Sequence, residues 1–197
     1  MKKNNVLLVL MLCVVSLIWS QNATKIDTTS SVIKWTGSNL FKYNKHFGTV
    51  TFLNGEIIKS NNIIIGGHFE INMNSIINTD GKYNEMLVWH LKNEDFFNVE
   101  KYPVSRLEFI EVTATSTNTI AVKADLTIRD ITNPIEFTLN LEEVEGKQIF
   151  TSKFSIDRTR WGIEYNSKGI LSTLKNEVIS DLIDFEVVVE AMDKGKC

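Results

Sequence analysis

The feature that most constrains this chain is a series of segments in which apolar and polar residues alternate with a period of two. Ile120, Val122, Ala124, Leu126 and Ile128 stand against Lys123, Asp125, Thr127 and Arg129. Ile135, Phe137, Leu139 and Leu141 stand against Glu136, Thr138, Asn140 and Glu142. Phe150, Ser152, Phe154 and Ile156 stand against Thr151, Lys153, Ser155 and Asp157. Ile183, Phe185, Val187 and Val189 close the series against Asp184, Glu186 and Glu190. Successive side chains of an extended chain point to opposite faces, so each segment reads as a strand with one apolar face. Antiparallel strands of this kind hide that face either by stacking two sheets or by closing into a barrel.

The first half is less regular. The segment from Gln21 to Lys25 is polar and reads as loose. Residues 26–39 form a strand with Ile33, Trp35 and Gly37 alternating with Lys34, Thr36 and Ser38. Residues 46–53 form another, and Asn54-Gly55 after it reads as a hairpin turn, since both residues tolerate positive φ. Ile63, Ile65, Gly67, Phe69, Ile71 and Met73 share one face of a long third strand, with a bend or bulge at Gly66-Gly67. A helix follows. From Asp80 as N-cap, Tyr83, Met86, Leu87, His90 and Leu91 have the spacing of one helical face, and the rings of Phe96-Phe97 pin its end. Tyr102-Pro103 stops any helix, and strand resumes from Val104. There Leu107 and Phe109 fall out of phase with Ile110 and Val112, which a bulge near residues 109–111 repairs.

The expectation is an all-β, eight-stranded antiparallel fold with one helix inserted after strand three. Strands of about ten residues favour a barrel, and eight strands enclose either their own side chains or one slim ligand. Gly37, Gly67 and Ser152 on the apolar faces leave room where a solid core would want bulk. No repeat or low-complexity tract divides the chain, so one domain is expected.

Residues 1–20 stand apart. Lys2 and Lys3 precede an apolar run from Val6 to Trp19, and Ser20-Gln21 offers a cleavage point, the pattern of a secretory signal peptide. A lipid-anchored Cys13 is the alternative, but bulky Leu12 and the apolar residues after it argue against that. The domain is then 21–197, periplasmic or secreted. Removing Lys2 and Lys3 makes the net charge of −3 two units more negative, which gives no footprint for nucleic acid. Cys197 is the one cysteine left, so no internal disulfide is available; it is either a stray thiol or an intermolecular link.

Read together, the motifs resemble a known family. They are IKWTGSN, HFGTV and GGHFEINMNSI, then HLKNEDFFNVEKYP, ADLTIRDITNPIEF, FSIDRTRWGIEY and SDLIDFEVVVEA. The chain is similar to the YceI-like exported polyisoprenoid-binding proteins from about Ile26 to Ala191. It departs from their pattern at Asp130, where glycine is common in the turn; aspartate tolerates left-handed φ, so the fold should stand. The resemblance implies an extended, lipocalin-like barrel around an apolar tunnel, a linear isoprenoid or fatty-chain ligand, and no established catalytic residues.

The candidate wall of such a tunnel is Phe69, Ile71, Met73, Phe137, Leu139, Phe154, Ile156, Phe185 and Val187, with Leu87 from the helix, which is a natural lid over residues 82–91. Burying a hydrocarbon contributes about 0.8 kcal/mol per CH₂, so ten carbons give roughly 8 kcal/mol before ordering and association costs. The alternative is that these side chains meet and fill the barrel. His90, Arg158 and Trp161 are candidates to meet a headgroup at the mouth, although Arg158 with Asp157 also reads as a structural pair in a tight turn. No cofactor is expected. His46, His68 and His90 are too widely spaced for a zinc motif, and no HExxH or GxSxG occurs. Alternation also fits a membrane barrel with its apolar face outward, but the inserted helix and the ending MDKGKC do not. A fatty acid or fatty amide in the same tunnel is the alternative ligand. Pairing of two copies and transient membrane contact for ligand exchange are the further partners such a barrel allows.

Overall fold

The computed structural model describes residues 21–41, 43–81, 84–168 and 178–192. The signal-peptide reading, the Cys13 alternative and Cys197 lie outside these residues, as does Tyr83 of the expected helix face.

Among the described residues the strands are β1 (Gln21–Lys25), β2 (Val32–Ser38), β3 (Lys45–Ser60), β4 (Ile63–Asn78), β5 (Val104–Ser116), β6 (Thr119–Ile128), β7 (Ile131–Val144), β8 (Lys147–Asp157) and β9 (Leu182–Met192). One helix, α1 (Asn84–Lys92), lies between β4 and β5. All pairings are antiparallel, in the order β1-β3-β2-β9-β8-β7-β6-β5-β4, and pairing of β3 with β4 closes the sheet on itself. β1 pairs with the far half of β3 and β2 with its near half, so the two are one broken strand and the barrel has eight positions. The helix therefore follows the third barrel strand.

The break between β1 and β2 corrects two expectations: residues before Lys25 are strand, and Ile26 lies outside both strands, held by an isolated bridge to Ala191 and by its N–H donating to the Gly55 carbonyl at 3.0 Å. Asp27 makes the break. Its carboxylate accepts from the N–H and hydroxyl of Thr29 at 2.9 and 2.6 Å, a local turn that competes with the ladder.

Asn54-Gly55 is not a turn. It lies inside β3, opposite Glu70 and Phe69, and the β3–β4 turn is Asn61-Asn62, both residues left-handed at φ 51° and 64°. Gly55 is glycine because a Cβ there would stand 2.6 Å from the Phe69 ring. Ile63 and Ile65 point outward and Ile64 inward, the reverse of the alternation read from sequence, because a register shift between Ile58 and Lys59 changes the phase beside Gly66. The bulge expected at 109–111 is present as a shift between Phe109 and Glu111, so Leu107 and Phe109 face inward while Ile110 is 62 % exposed. At the β6–β7 turn both Arg129 (φ 53°) and Asp130 (φ 58°) are left-handed, so aspartate is accommodated there.

The outer face carries the ion pairs Arg106–Glu70, Lys123–Glu111 and Lys153–Glu186, which suit water and would be costly against hydrocarbon. The apolar rows face the inside of the barrel, where Ile57, Val122, Ala124 and Phe150 are almost completely buried.

Candidate functional site

Six phenylalanines form a belt inside the barrel. Phe52 on β3 meets Phe69 on β4 (ring centroids 5.9 Å apart), Phe69 meets Phe109 on β5 (5.5 Å), and Phe109 meets Phe137 on β7 (5.9 Å). Phe137 stacks on Phe154 of β8 (5.2 Å), which meets Phe185 of β9 (5.6 Å). The belt skips β6 because that strand offers only Ala124 opposite Phe109 and Val122 opposite Phe137, and two rings can touch across them. Trp35, in register with Phe185, continues the row on β2. These rings do not fill the barrel. All of them line a cavity of about 420 Å³, within the range of small-molecule sites.

The small residues act differently from one another. A Cβ on Gly37 would meet nothing within 4 Å, so Gly37 does leave space in the cavity wall. At Gly67 the space is taken by the Phe109 ring, 3.2 Å from where a Cβ would stand. Ser152 donates its hydroxyl to the Thr138 carbonyl at 2.7 Å, so a buried polar group is satisfied by the wall itself.

The cavity reaches the end of the barrel where α1 lies, and there the wall becomes polar: Ser38, Asn39, Asn44, His46, His90, Tyr165 and Ser180 line it. Leu87 and Leu91 of α1 face the cavity, whereas Met86, read as part of the same helical face, is 58 % exposed. The start of the helix next to Asp80 lies partly outside the described residues. The nearly buried Asp80 carboxylate holds Nδ1 of His46 at 2.7 Å and accepts from the Asn78 amide at 2.8 Å. Asp95 lies 3.4 Å from Nδ1 of His90, whose ring stacks on Tyr165 at 5.8 Å. Each imidazole is thus oriented through one nitrogen by a carboxylate, which leaves the other for a ligand.

Of the thirteen residues expected at the site, Phe69, Ile71, Met73, Leu87, His90, Phe137, Leu139, Phe154, Phe185 and Val187 line the cavity. Arg158 also borders it, but its guanidinium is fully buried and donates to the carbonyls of Ile163 (2.8 Å), Ser180 (3.1 Å) and Ile179 (3.3 Å). Asp181 adds an ion pair at 3.5 Å, and burial pushes the Arg158 pKa down against the pull of Asp181 and Asp157. Arg158 therefore ties the turn after β8 to the chain entering β9. Trp161 is outside the wall: it is fully buried and its indole donates to the Leu126 carbonyl at 3.0 Å. Ile156 is packed in the core without reaching the cavity.

Sequence reading did not nominate Trp35, Phe52, Phe109, His46 or Tyr165. The bulge hid the phase of Phe109, and His46 owes its place to Asp80, 34 positions away. Among the described residues no cluster of three or more His, Cys, Asp or Glu side chains is arranged to hold a metal ion.

Solved structures share the fold at low identity. BcnA of Burkholderia cenocepacia aligns with a TM-score of 0.69 and 14 % identity, covering 85 % of this chain and 99 % of its own. A polyisoprenoid binding domain from Saccharophagus degradans, implicated in plant cell wall breakdown, aligns with a TM-score of 0.62 and 15 % identity, over 85 % of this chain and 97 % of its own. The YceI protein of Campylobacter jejuni aligns with a TM-score of 0.54 and 20 % identity, over 66 % and 74 %. No curated protein matches the chain. The model of the YceI-like domain matches residues 25–191, which take in the closed barrel, the inserted helix and the walls of the cavity; this chain belongs to the YceI-like family.

Proposed function

We propose that this protein binds and carries a long apolar chain, a polyisoprenoid above all, by burying it without covalent chemistry in the barrel. The observation that carries this reading is the belt of six phenylalanines around an open cavity, which offers a hydrocarbon chain contact on every side. Each CH₂ taken from water contributes about 0.8 kcal/mol, so a chain filling the hollow is held without polar contacts along its length. Its polar end lies at the mouth, against His46 and His90. The signal-peptide pattern of residues 1–20 supports a periplasmic or secreted location, where a lipid moving between membranes needs cover from water.

The polyisoprenoid-binding domain that shares the fold supports a lipid ligand, and the apolar lining of the cavity supports a hydrocarbon one. Native mass spectrometry of the purified protein, followed by organic extraction, tests it. The expected result is a bound mass released into the organic phase as a polyprenyl compound, and reduced occupancy in Phe154→Asp. A fatty acid or amide in the extract would replace the polyisoprenoid but keep the cavity. A folded Phe154→Asp with undiminished lipid would overturn the assignment of the site.

A further inference from the structure

The cavity mouth is ringed by aromatic side chains that the barrel does not use. Phe41 and Tyr43, in the loop between β2 and β3, are 47 % and 86 % exposed, with their rings 6.4 Å apart. Trp89 and Met86 on α1 are 59 % and 58 % exposed, and Trp89 packs edge-on against His90 of the cavity wall at 4.9 Å. Tyr165 is exposed at the same mouth. Every exposed aromatic ring among the described residues lies at this end of the barrel. The turns at the opposite end are Asn61-Asn62, Thr117-Asn118 and Glu145-Gly146, all polar.

Exposed Trp, Tyr and Phe on a water-facing protein cost solubility unless they meet a surface of intermediate polarity. Trp and Tyr concentrate at the headgroup level of bilayers, where an apolar ring and a polar edge are both satisfied. The patch is also continuous with an apolar cavity, and a hydrocarbon chain leaving a bilayer there enters the protein without crossing water. We infer that this rim, centred on Phe41, Tyr43 and Trp89, is a docking surface for a phospholipid bilayer, through which the ligand enters and leaves. The inference rests on the lipid-binding reading above but concerns the route of the ligand. None of the three named residues lines the cavity, so the rim and the cavity are separable by mutation.

The test uses the mature chain, unilamellar vesicles of phosphatidylcholine and phosphatidylethanolamine, and a dansyl-labelled polyprenol. In the variant carrying Phe41→Glu, Tyr43→Glu and Trp89→Glu, uptake of the probe from vesicles is expected to slow by about tenfold or more. Its affinity for the same probe delivered from dilute ethanol should be unchanged. Cosedimentation of the wild type with probe-free vesicles should be lost in the variant and be little altered by salt, since the contact is apolar. If three glutamates prevent folding, the serine substitutions at the same positions give the same readout. Uptake from vesicles at the wild-type rate would overturn the inference. So would a wild type that sediments as a dimer, ignores vesicles and becomes monomeric in the variant, because the rim would then pair two copies. Failure of the wild type to bind the probe from ethanol would sink the lipid-binding reading instead, while cosedimentation with probe-free vesicles would still decide the rim.

Discussion

Phe137 and Phe154 stack with centroids 5.2 Å apart and planes inclined at 24°, at a place where β7 and β8 no longer share backbone hydrogen bonds. The ladder between these strands runs from Val144–Lys147 to Asn140–Thr151 and stops. Toward the mouth, side chains replace it: Ser152 donates to the Thr138 carbonyl at 2.7 Å, Asn133 to the Arg160 carbonyl at 2.8 Å, and Arg160 to the Pro134 carbonyl at 2.9 Å. Pro134 suits this edge, since it has no N–H to leave unpaired. At this seam the barrel is therefore closed by backbone over one part and by side chains over the other.

The seam predicts a local weakness. Ser152→Ala removes its one bond into β7 and should cost about 1 kcal/mol in chemical denaturation. Amides of β7 and β8 that face the seam on the mouth side should exchange with solvent faster than those between β8 and β9.

Gly37 gives a way to narrow the cavity without disturbing the fold. A side chain there points into open space, so Gly37→Leu should leave stability unchanged or slightly raised, with glycine's disadvantage in a strand removed. Lipid affinity measured by probe displacement should fall by about tenfold, equivalent to roughly 1.4 kcal/mol.

Gly48 is the opposite case. A Cβ at this position would lie 1.8 Å from the Ile77 carbonyl oxygen and 2.7 Å from the Trp35 ring, so β3 and β4 would have to separate. Gly48→Ala should destabilise by about 3 kcal/mol or prevent folding, whereas Gly66→Ala, with ordinary 3.6 Å contacts, should be nearly silent. Denaturation midpoints of the two variants separate these outcomes.

Arg158→Met should destabilise by about 3 kcal/mol or more, because it abandons three carbonyls and a nearly buried Asp181. If Arg158 is a structural tie, lipid affinity per folded molecule will match the wild type. A selective loss of affinity with stability intact would return it to the headgroup site.

Asp27 should set part of the acid limb of stability. Hydrogen bonds from the Thr29 hydroxyl and N–H, helped by Ser30, lower its pKa from 3.8 to about 2. A carboxylate with a depressed folded pKa contributes stability above its unfolded pKa, and this is lost as pH falls through the folded value. The melting temperature of Asp27→Asn should therefore lie below that of the wild type above about pH 4, and the two should converge as pH falls toward 2.

The sequence by itself determined the class of fold and much of the cavity wall. Period-two rows in β6, β7, β8 and β9 leave one apolar face per strand, and rows such as Phe137–Leu139 and Phe185–Val187 point inward in the closed sheet. Pro103 and the 3.6-residue spacing before it were enough to place one helix between strands. Tertiary structure decided what depends on partners distant in sequence. Bulges shift the phase of Ile63–Ile65 and of Phe109, and a bulge is set by the neighbouring strand rather than by the strand itself. Asn54-Gly55 has the chemistry of a turn, yet the Phe69 ring across the ladder uses Gly55 as space. Arg158 and Trp161 looked like mouth residues, but carbonyls of residues from 163 to 180 and of Leu126 hold them in the interior. Whether six rings meet or leave a hollow is a matter of a few ångströms between strands, and only the closed barrel fixes that distance.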